Sequence, residues 1–457
     1  IGEGETVYDE LLDTYKKCKS EGKSRKEFLE MAAGIEGIYV PQFYEPEYNE
    51  DGTLKAFHRI NEHAPAKVRK QVVMDVTDTT YPMKPVVPYI KATQDRVVLE
   101  IQRGCIRGCR FCQAGMIYRP VRERNVETLK EYARTMLDST GHEEISLSSL
   151  SSSDYSQLEE LVNFLIEEFP GKGINISLPS LRIDAFSLDV MSKVQDIRKS
   201  SLTFAPEAGS QRMRNVINKG LTEDDIINGA GEAFEGGWTK VKLYFMLGLP
   251  GETEEDMKEI AHLSERVARR YYEIPKEERH GKCQITASSS FFVPKPFTPF
   301  QWAGMYREED FVEKAKVVKS EIRAQVNQRS IRYSWHEPDV TILEGFLARG
   351  DRRCSKVILR AYEKGAIYDA WSESFDYNIW KESFVETNTD IDFYTLRERS
   401  TDEILPWDFI DAGVTKKFLI HEWEQAKKET VTPNCRQKCS GCGAMRYGGG
   451  VCYEGKN

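Results

Sequence analysis

The stretch RVVLEIQRGCIRGCRFCQAG, residues 96–115, joins a strand to a loop that carries three of the ten cysteines in the 457-residue chain. RVVLEIQ (96–102) is apolar and β-branched, as a buried parallel strand requires. Gly104, Gly108 and Gly115 let the segment after it bend tightly enough to aim Cys105, Cys109 and Cys112 at one point. A four-iron cluster usually takes one Cys thiolate per iron, so three ligands leave one iron open to another molecule. Structural zinc wants four ligands. No His lies in the loop to complete such a set, and the C-x3-C-x2-C spacing is therefore read as an open iron-sulfur site.

Working outward, apolar strands alternate with amphipathic helices. The strands are EISLSSL (144–150), INISLPS (174–180), SSLTFAP (200–206), KVKLYFML (240–247) and QITASSSFFV (284–293). Helices are expected over 126–138, with Leu129, Ala133, Met136 and Leu137 on one face, and over 156–168, 210–218, 222–236 and 254–273. This alternation predicts a parallel sheet with right-handed crossovers. Six such units over 93–300 predict an α/β fold, a partial (β/α)6 TIM-like barrel. In such barrels the chemistry sits at the C-terminal ends of the strands, where the cysteine loop falls.

The flanks read differently. Ile1 stands where an initiator Met would, and IGEGETVYDELLDTY reads as a strand end, a tight turn and a helix with Val7, Leu11, Leu12 and Tyr15 on one face. Residues 1–20 are therefore expected to be the end of an α/β domain whose remainder lies upstream, and 21–92, rich in Pro and Tyr, a connector. Residues 301–457 read as a mainly helical accessory region ending in Cys435, Cys439, Cys442 and Cys452. In that region ARGDRR (348–353) is a candidate grip for a phosphate or simply a solvated face, and His336, followed by Glu337, an acid/base or metal group or a structural His. The four terminal cysteines can close a full ligand set, either a structural zinc or an auxiliary cluster.

Composition narrows the class. Hydrophobic residues make up 40% and charged residues 30%, and no apolar run reaches the roughly 20 residues of a membrane span. The net charge of −9 argues against bulk attraction to nucleic acid. Ten cysteines are too few for a disulfide scaffold, which points to a reducing cytoplasm.

The three-cysteine loop after a first barrel strand, with Phe111 before its last Cys, resembles the radical S-adenosylmethionine (SAM) superfamily. LRIDAFSLDVM, FAPEAGSQRMRNVINKGLTEDDI and KLYFMLGLPGETEEDM are similar to the third, fourth and fifth strand regions of its cobalamin-binding subgroup. The resemblance implies that the open iron chelates SAM and that one electron cleaves the sulfonium to a 5'-deoxyadenosyl radical. It implies an electron donor such as flavodoxin or ferredoxin. It places Phe111, Ser148, Ser149, Arg182, Glu207, Ser210, Lys219, Tyr244 and Gly248 around the cofactors. Ser148 and Ser149 fall where relatives approach the SAM amino group. Glu207 stands where the family accepts from the ribose, Lys219 where it meets the SAM carboxylate, and Tyr244 and Gly248 near adenine. Arg182 suits a carboxylate or phosphate, with a salt bridge to Asp184 as the alternative. The truncated domain at 1–20, LRID and EAGSQ imply a cobalamin-dependent methyltransferase. A methylthiotransferase-like RNA- or protein-modifying enzyme is the second reading and a metal-stabilised binding or electron-transfer module the third. The substrate class, small molecule, RNA or protein, stays open.

Overall fold

The structure, a computed structural model, describes residues 1–77, 81–90, 92–169, 173–178 and 202–449. Arg182 and Cys452 lie outside the described residues.

Among the described residues, seven parallel strands form two sheets. β1 (Val97–Glu100), β2 (Glu144–Ser148) and β3 (Asn175–Ser177) lie side by side in that order. β4 (Leu202–Glu207), β5 (Lys240–Leu247), β6 (Gln284–Phe291) and β7 (Ile331–Trp335) make the second sheet. The parallel, partial-barrel architecture expected from the strand-helix alternation is present. It runs one strand further than the six expected, because Ile331–Trp335 pairs in register with Ile285–Ser289. That strand comes from the region read as a mainly helical appendage.

The helices form where capping and periodicity agree. Helix Val126–Thr140 starts at Asn125, whose side chain accepts from the Glu127 and Thr128 amides, and ends at Gly141 in a left-handed turn. It buries Leu129, Ala133, Met136 and Leu137, the face expected from sequence, against β1 and β2. Helix Glu254–Tyr272 carries a capping box between Thr253 and Asp256, an acidic first turn and a basic last turn, which complements the helix dipole. Its buried side packs with Val241, Leu243, Phe245 and Leu247 of β5 in the largest core. Alternation then directs Lys242, Tyr244 and Met246 to the opposite face of that strand.

Gly209 sits where the chain leaves β4. A Cβ there would lie 2.2 Å from the Ile260 nitrogen and 2.4 Å from the Glu259 carbonyl carbon, so only glycine lets this turn lie on the long helix. Gly209→Ala is expected to cost about 1–3 kcal/mol, read as a lower urea midpoint with the m-value unchanged.

A separate core joins the strand ends to the C-terminal region. Met116, Met213, Met246 and Phe292 pack with Trp302, Trp407, Phe418, Trp423 and Cys442. Parts of residues 301–449, among them Trp302, Trp407, Phe418 and Trp423, thus lie over the C-terminal ends of the strands. The segment read as a connector is tied into the same body: Val68–Arg69 pairs with Ile410–Asp411, and Phe57 stacks on Phe409 at 4.4 Å. Gly2 bridges to Gln71 at φ +93°, and Glu3 and Glu5 pair with Arg103. The expected inner face of the first helix, Val7–Ser20, is only partly covered. Val7 is buried, whereas Leu12 and Tyr15 are each 49% exposed. Arg349, Arg352 and Arg353 of ARGDRR are consumed by the fold. Arg349 donates to the Ala303, Thr395 and Arg397 carbonyls, Arg352 to the Tyr44 and Pro41 carbonyls, and Arg353 pairs with Asp351. Among the described residues, no helix is long and apolar enough to cross a membrane.

Candidate functional site

The cysteine loop leaves the sheet at the end of β1 and turns at Gly104 (φ +83°), where the Tyr118 carbonyl leaves no room for a Cβ. Within it the Cys105 sulfur accepts from the Arg107 amide (3.4 Å) and the Cys112 sulfur from the Gly115 amide (3.3 Å). Amides aimed at sulfur favour the thiolate that a cluster ligand must be. Burial acts against it: the Cys105 thiol is pushed up to about 12 and Cys112 is raised for the same reason, with Cys109 adding repulsion in both. A metal cluster bound here would supply the positive charge that favours the thiolates of Cys105 and Cys112 against this burial. Among the described residues no three His, Cys, Asp or Glu side chains close on a single ion. A cubane takes each thiolate at a separate iron corner, so its ligands need not meet at one point.

Arginines brace the loop from three sides. Arg107 forms a two-pronged pair with Asp154 beyond β2, at 2.6 and 3.0 Å. Arg110, fully buried, pairs with Glu422 at 3.0 Å and donates to the Val216 and Thr430 carbonyls. Arg119 donates to the Arg107 and Gly115 carbonyls, each at 3.0 Å. Asn218 completes the frame in a left-handed conformation, donating to the Gly108 carbonyl (3.0 Å) and accepting from the Thr432 amide (2.9 Å). None of these six residues was singled out from the sequence. The arginines inside RGCIRGCRFC and the Asp of SSSDY were visible there, but their partners lie up to 322 residues away.

The expected SAM residues divide into two groups. Glu207 ends β4 at φ +67°, a strained conformation for a residue with a Cβ, and pairs with Lys219 at 3.2 Å. Both charges are felt by Cys112, the ammonium lowering and the carboxylate raising its pKa. Glu207, Lys219 and the cysteine loop are thus brought together. Ser148 ends β2 opposite Glu100, and its carbonyl accepts from the Ile101 amide. Phe111 packs on the core beneath the loop. Tyr244 lies under the Lys242 ammonium at 4.5 Å. The other group has its polar atoms or its space already used. The Ser149 hydroxyl bonds Ser152 and the Ser151 amide. The Ser210 hydroxyl accepts from the Met213 amide and donates to Asp256. Gly248, at φ +83°, is needed because a Cβ would lie 2.7 Å from the Phe311 ring.

Next to Gly248, burial pushes the Glu252 carboxyl up to about 7, against the pull of Lys314. A folded pKa above the unfolded one means the native state holds the extra proton. Its contribution is full below about pH 4.5 and lost as pH rises through about 7. Glu252→Gln is expected to flatten the fall in thermal midpoint between about pH 5 and 8, which a melting series across that range measures.

Cys435, Cys439 and Cys442 lie against the first loop. The Cys435 amide donates to the Ile106 carbonyl at 3.0 Å, and Arg436 donates to the Asp154 carbonyl at 2.8 Å. Cys439 is exposed, Cys435 half-buried and Cys442 buried.

Two parallel sheets carry a cysteine loop at the end of β1 and a Glu-Lys pair at the end of β4. The Radical SAM superfamily model matches residues 99–264, and a model for the N-terminal region of radical SAM proteins matches residues 1–41. An uncharacterized protein of Methanocaldococcus jannaschii is 34% identical over 325 residues, covering 69% of this chain and 68% of that protein. The ribosomal protein uS12 methylthiotransferase RimO of Treponema denticola is 26% identical over 191 residues, 35% of this chain and 40% of its own. Among solved structures, the radical SAM methyltransferase TsrM from Kitasatospora setae, with cobalamin and a 4Fe-4S cluster bound, has a TM-score of 0.46 at 13% identity, covering 84% of this chain and 76% of that one. The chain belongs to the radical SAM superfamily.

Proposed function

We propose that this chain is a radical SAM enzyme that holds a 4Fe-4S cluster on Cys105, Cys109 and Cys112, binds SAM between that loop and the Glu207-Lys219 pair, and transfers a methyl group with the help of cobalamin. The observation that carries the reading is the meeting of the strained Glu207, its partner Lys219 and Cys112 within the matched segment. When bound, the cluster supplies the single electron that cleaves the sulfonium of SAM.

The chain's own residues then bind and orient. Lys219 offers an ammonium to the SAM carboxylate, and Glu207 accepts from the ribose hydroxyls. The Arg107-Asp154, Arg110-Glu422 and Arg119 contacts hold the cysteine loop in one conformation, so ordering it at the moment of binding costs little. The parts of residues 301–449 that pack over the strand ends keep water from the reacting centre. Cobalamin rests on the sequence likeness of EAGSQ and LRID and of the first twenty residues. The substrate belongs to the small-molecule, RNA or protein classes, the reductant to the flavodoxin or ferredoxin class, and the setting is the cytoplasm.

Anaerobic reconstitution with iron, sulfide and a chemical reductant is expected to give 5'-deoxyadenosine from SAM, and its absence overturns the reading. An absorption spectrum of the protein isolated with cobalamin present tests the corrin. A methylthiotransferase is the second reading, favoured by the likeness to the uS12 enzyme and by the second cysteine set. Sulfur-labelled cluster appearing in product would select it.

A further inference from the structure

The second sheet has a polar face that the reading above leaves without a task. Alternation fixes which residues lie on it. Val241, Leu243 and Phe245 of β5, Ile285 and Ala287 of β6 and Ile331 of β7 are buried in the core shared with the helices. Their neighbours Lys242, Tyr244, Thr286, Ser288, Arg332 and Ser334 therefore project from the face turned away from the helices. The parallel register sets them in two rows. Lys242, Thr286 and Arg332 stand side by side, and Tyr244, Ser288 and Ser334 form the row nearer the C-terminal strand ends.

The polar groups of this face are not used by the fold. Ser288 is 6% exposed, yet its hydroxyl meets no partner among the described residues. Ser146, 7% exposed, is placed alike in β2, between the core residues Ile145 and Leu147, and its hydroxyl too meets none. Hydroxyls so enclosed normally have a hydrogen-bond partner, so a pair of them without one marks a place for a polar ligand. The first row carries charge. The Lys242 ammonium has only the Tyr244 ring as a neighbour, at 4.5 Å, and the exposed Arg332 makes no ion pair or hydrogen bond among the described residues. None of β5, β6 and β7 contains an Asp or Glu to neutralise them. Two strand spacings put the backbones of Lys242 and Arg332 about 10 Å apart. Two cations at that separation, with hydroxyls between them, form a receptor for an anion.

We propose that Lys242 and Arg332, with Thr286 and Ser288 between them, bind the anionic head group, a carboxylate or a phosphate, of a small-molecule substrate. The inference rests on the reading under Proposed function and narrows its substrate class. Register gives the length such a molecule needs. Glu207 pairs with Phe245, three residues further along β5 than Lys242, and three residues of strand rise about 10 Å. A substrate held by its anion at Lys242 thus presents, at the level of Glu207, an atom about 10 Å from that anion. The charged row also lies five residues inside the end of β5 at Leu247, a depth that suits a metabolite rather than a folded RNA or protein.

The test uses the full chain, anaerobically reconstituted, with inorganic phosphate and succinate as separate probes in isothermal titration calorimetry. Saturable binding of at least one probe is expected, and the tighter of the two tells a phosphate head group from a carboxylate. Lys242→Gln and Arg332→Gln are each expected to weaken that binding about tenfold or more, as loss of a charged hydrogen-bond donor does. Lys242→Arg and Arg332→Lys are expected to hold it within about threefold, which separates lost charge from lost fold. Ser288→Ala is expected to weaken it about threefold. No saturable binding of either probe, or binding that both glutamine variants leave unchanged, would overturn the anion site. A single-stranded RNA that displaces the probe and loses its own binding in the same variants would overturn the small-molecule assignment. If instead the native chain binds the anion as expected but yields no 5'-deoxyadenosine from SAM, the anion site stands and it is the radical reading that falls.

Discussion

A chain carrying Cys109→Ala is expected to lose the irons of its first site and to give no 5'-deoxyadenosine above background. Three thiolates already leave one corner of a cubane without a protein ligand. Removing another leaves two, and the loop can no longer hold the cluster against chelation or solvent. Because burial disfavours the thiolate at Cys105 and Cys112, a bound cluster would be needed to keep these sulfurs ionised, so ligands and cluster are expected to be lost together rather than one at a time. Iron analysis beside a SAM-cleavage assay checks this. A variant that retains its iron and cleaves SAM at the native rate would show that the loop is not the site.

Arg110→Met is expected to lower the stability of the chain by about 3–5 kcal/mol, the range found when one partner of a buried ion pair is removed. Arg110 is fully buried, and Glu422 beside it is 1% exposed. Without the guanidinium, among the described residues Glu422 keeps only the Thr432 hydroxyl as a neighbouring donor, and the Asn215, Val216 and Thr430 carbonyls each lose the Arg110 donor. The double variant Arg110→Met with Glu422→Met is expected to recover part of the loss, since it buries no unpaired charge. Urea titration of the two single variants and the double gives the coupling directly. The same pair ties the cysteine loop to helix Lys416–Lys427, so Arg110→Met is also expected to weaken cluster retention without touching a ligand.

What could be read in the sequence was local. The period of apolar residues over 126–138 and the cap residues around it specified a helix and its inner face, and the helix formed there with that face buried. The Cys105-x3-Cys109-x2-Cys112 spacing after a β-branched run placed a cysteine loop at the end of a parallel strand. Glu207 and Lys219 were legible because a strand-to-helix segment keeps them near each other whatever the rest of the chain does. Periodicity said less about Ile331–Trp335: with five residues between helices, IRYSW becomes a strand only because β6 offers it an edge to pair with. The exposed Leu12 and Tyr15 show the converse, an amphipathic pattern on a helix that the rest of the described chain does not cover.

The sequence by itself determined where the three-cysteine loop falls: it follows a strand, and glycines at fixed places let the backbone make the turn. Only the tertiary structure decided what surrounds that set. Arg110 finds Glu422, Asn218 finds Thr432 and Cys435 reaches Ile106 across more than two hundred residues of chain. Such contacts are fixed by the packing of Trp302, Trp407, Phe418 and Trp423 over the strand ends. No local propensity encodes a distance of that length. The two cysteine groups lie together because a shared apolar core and a buried arginine lower the free energy of that arrangement.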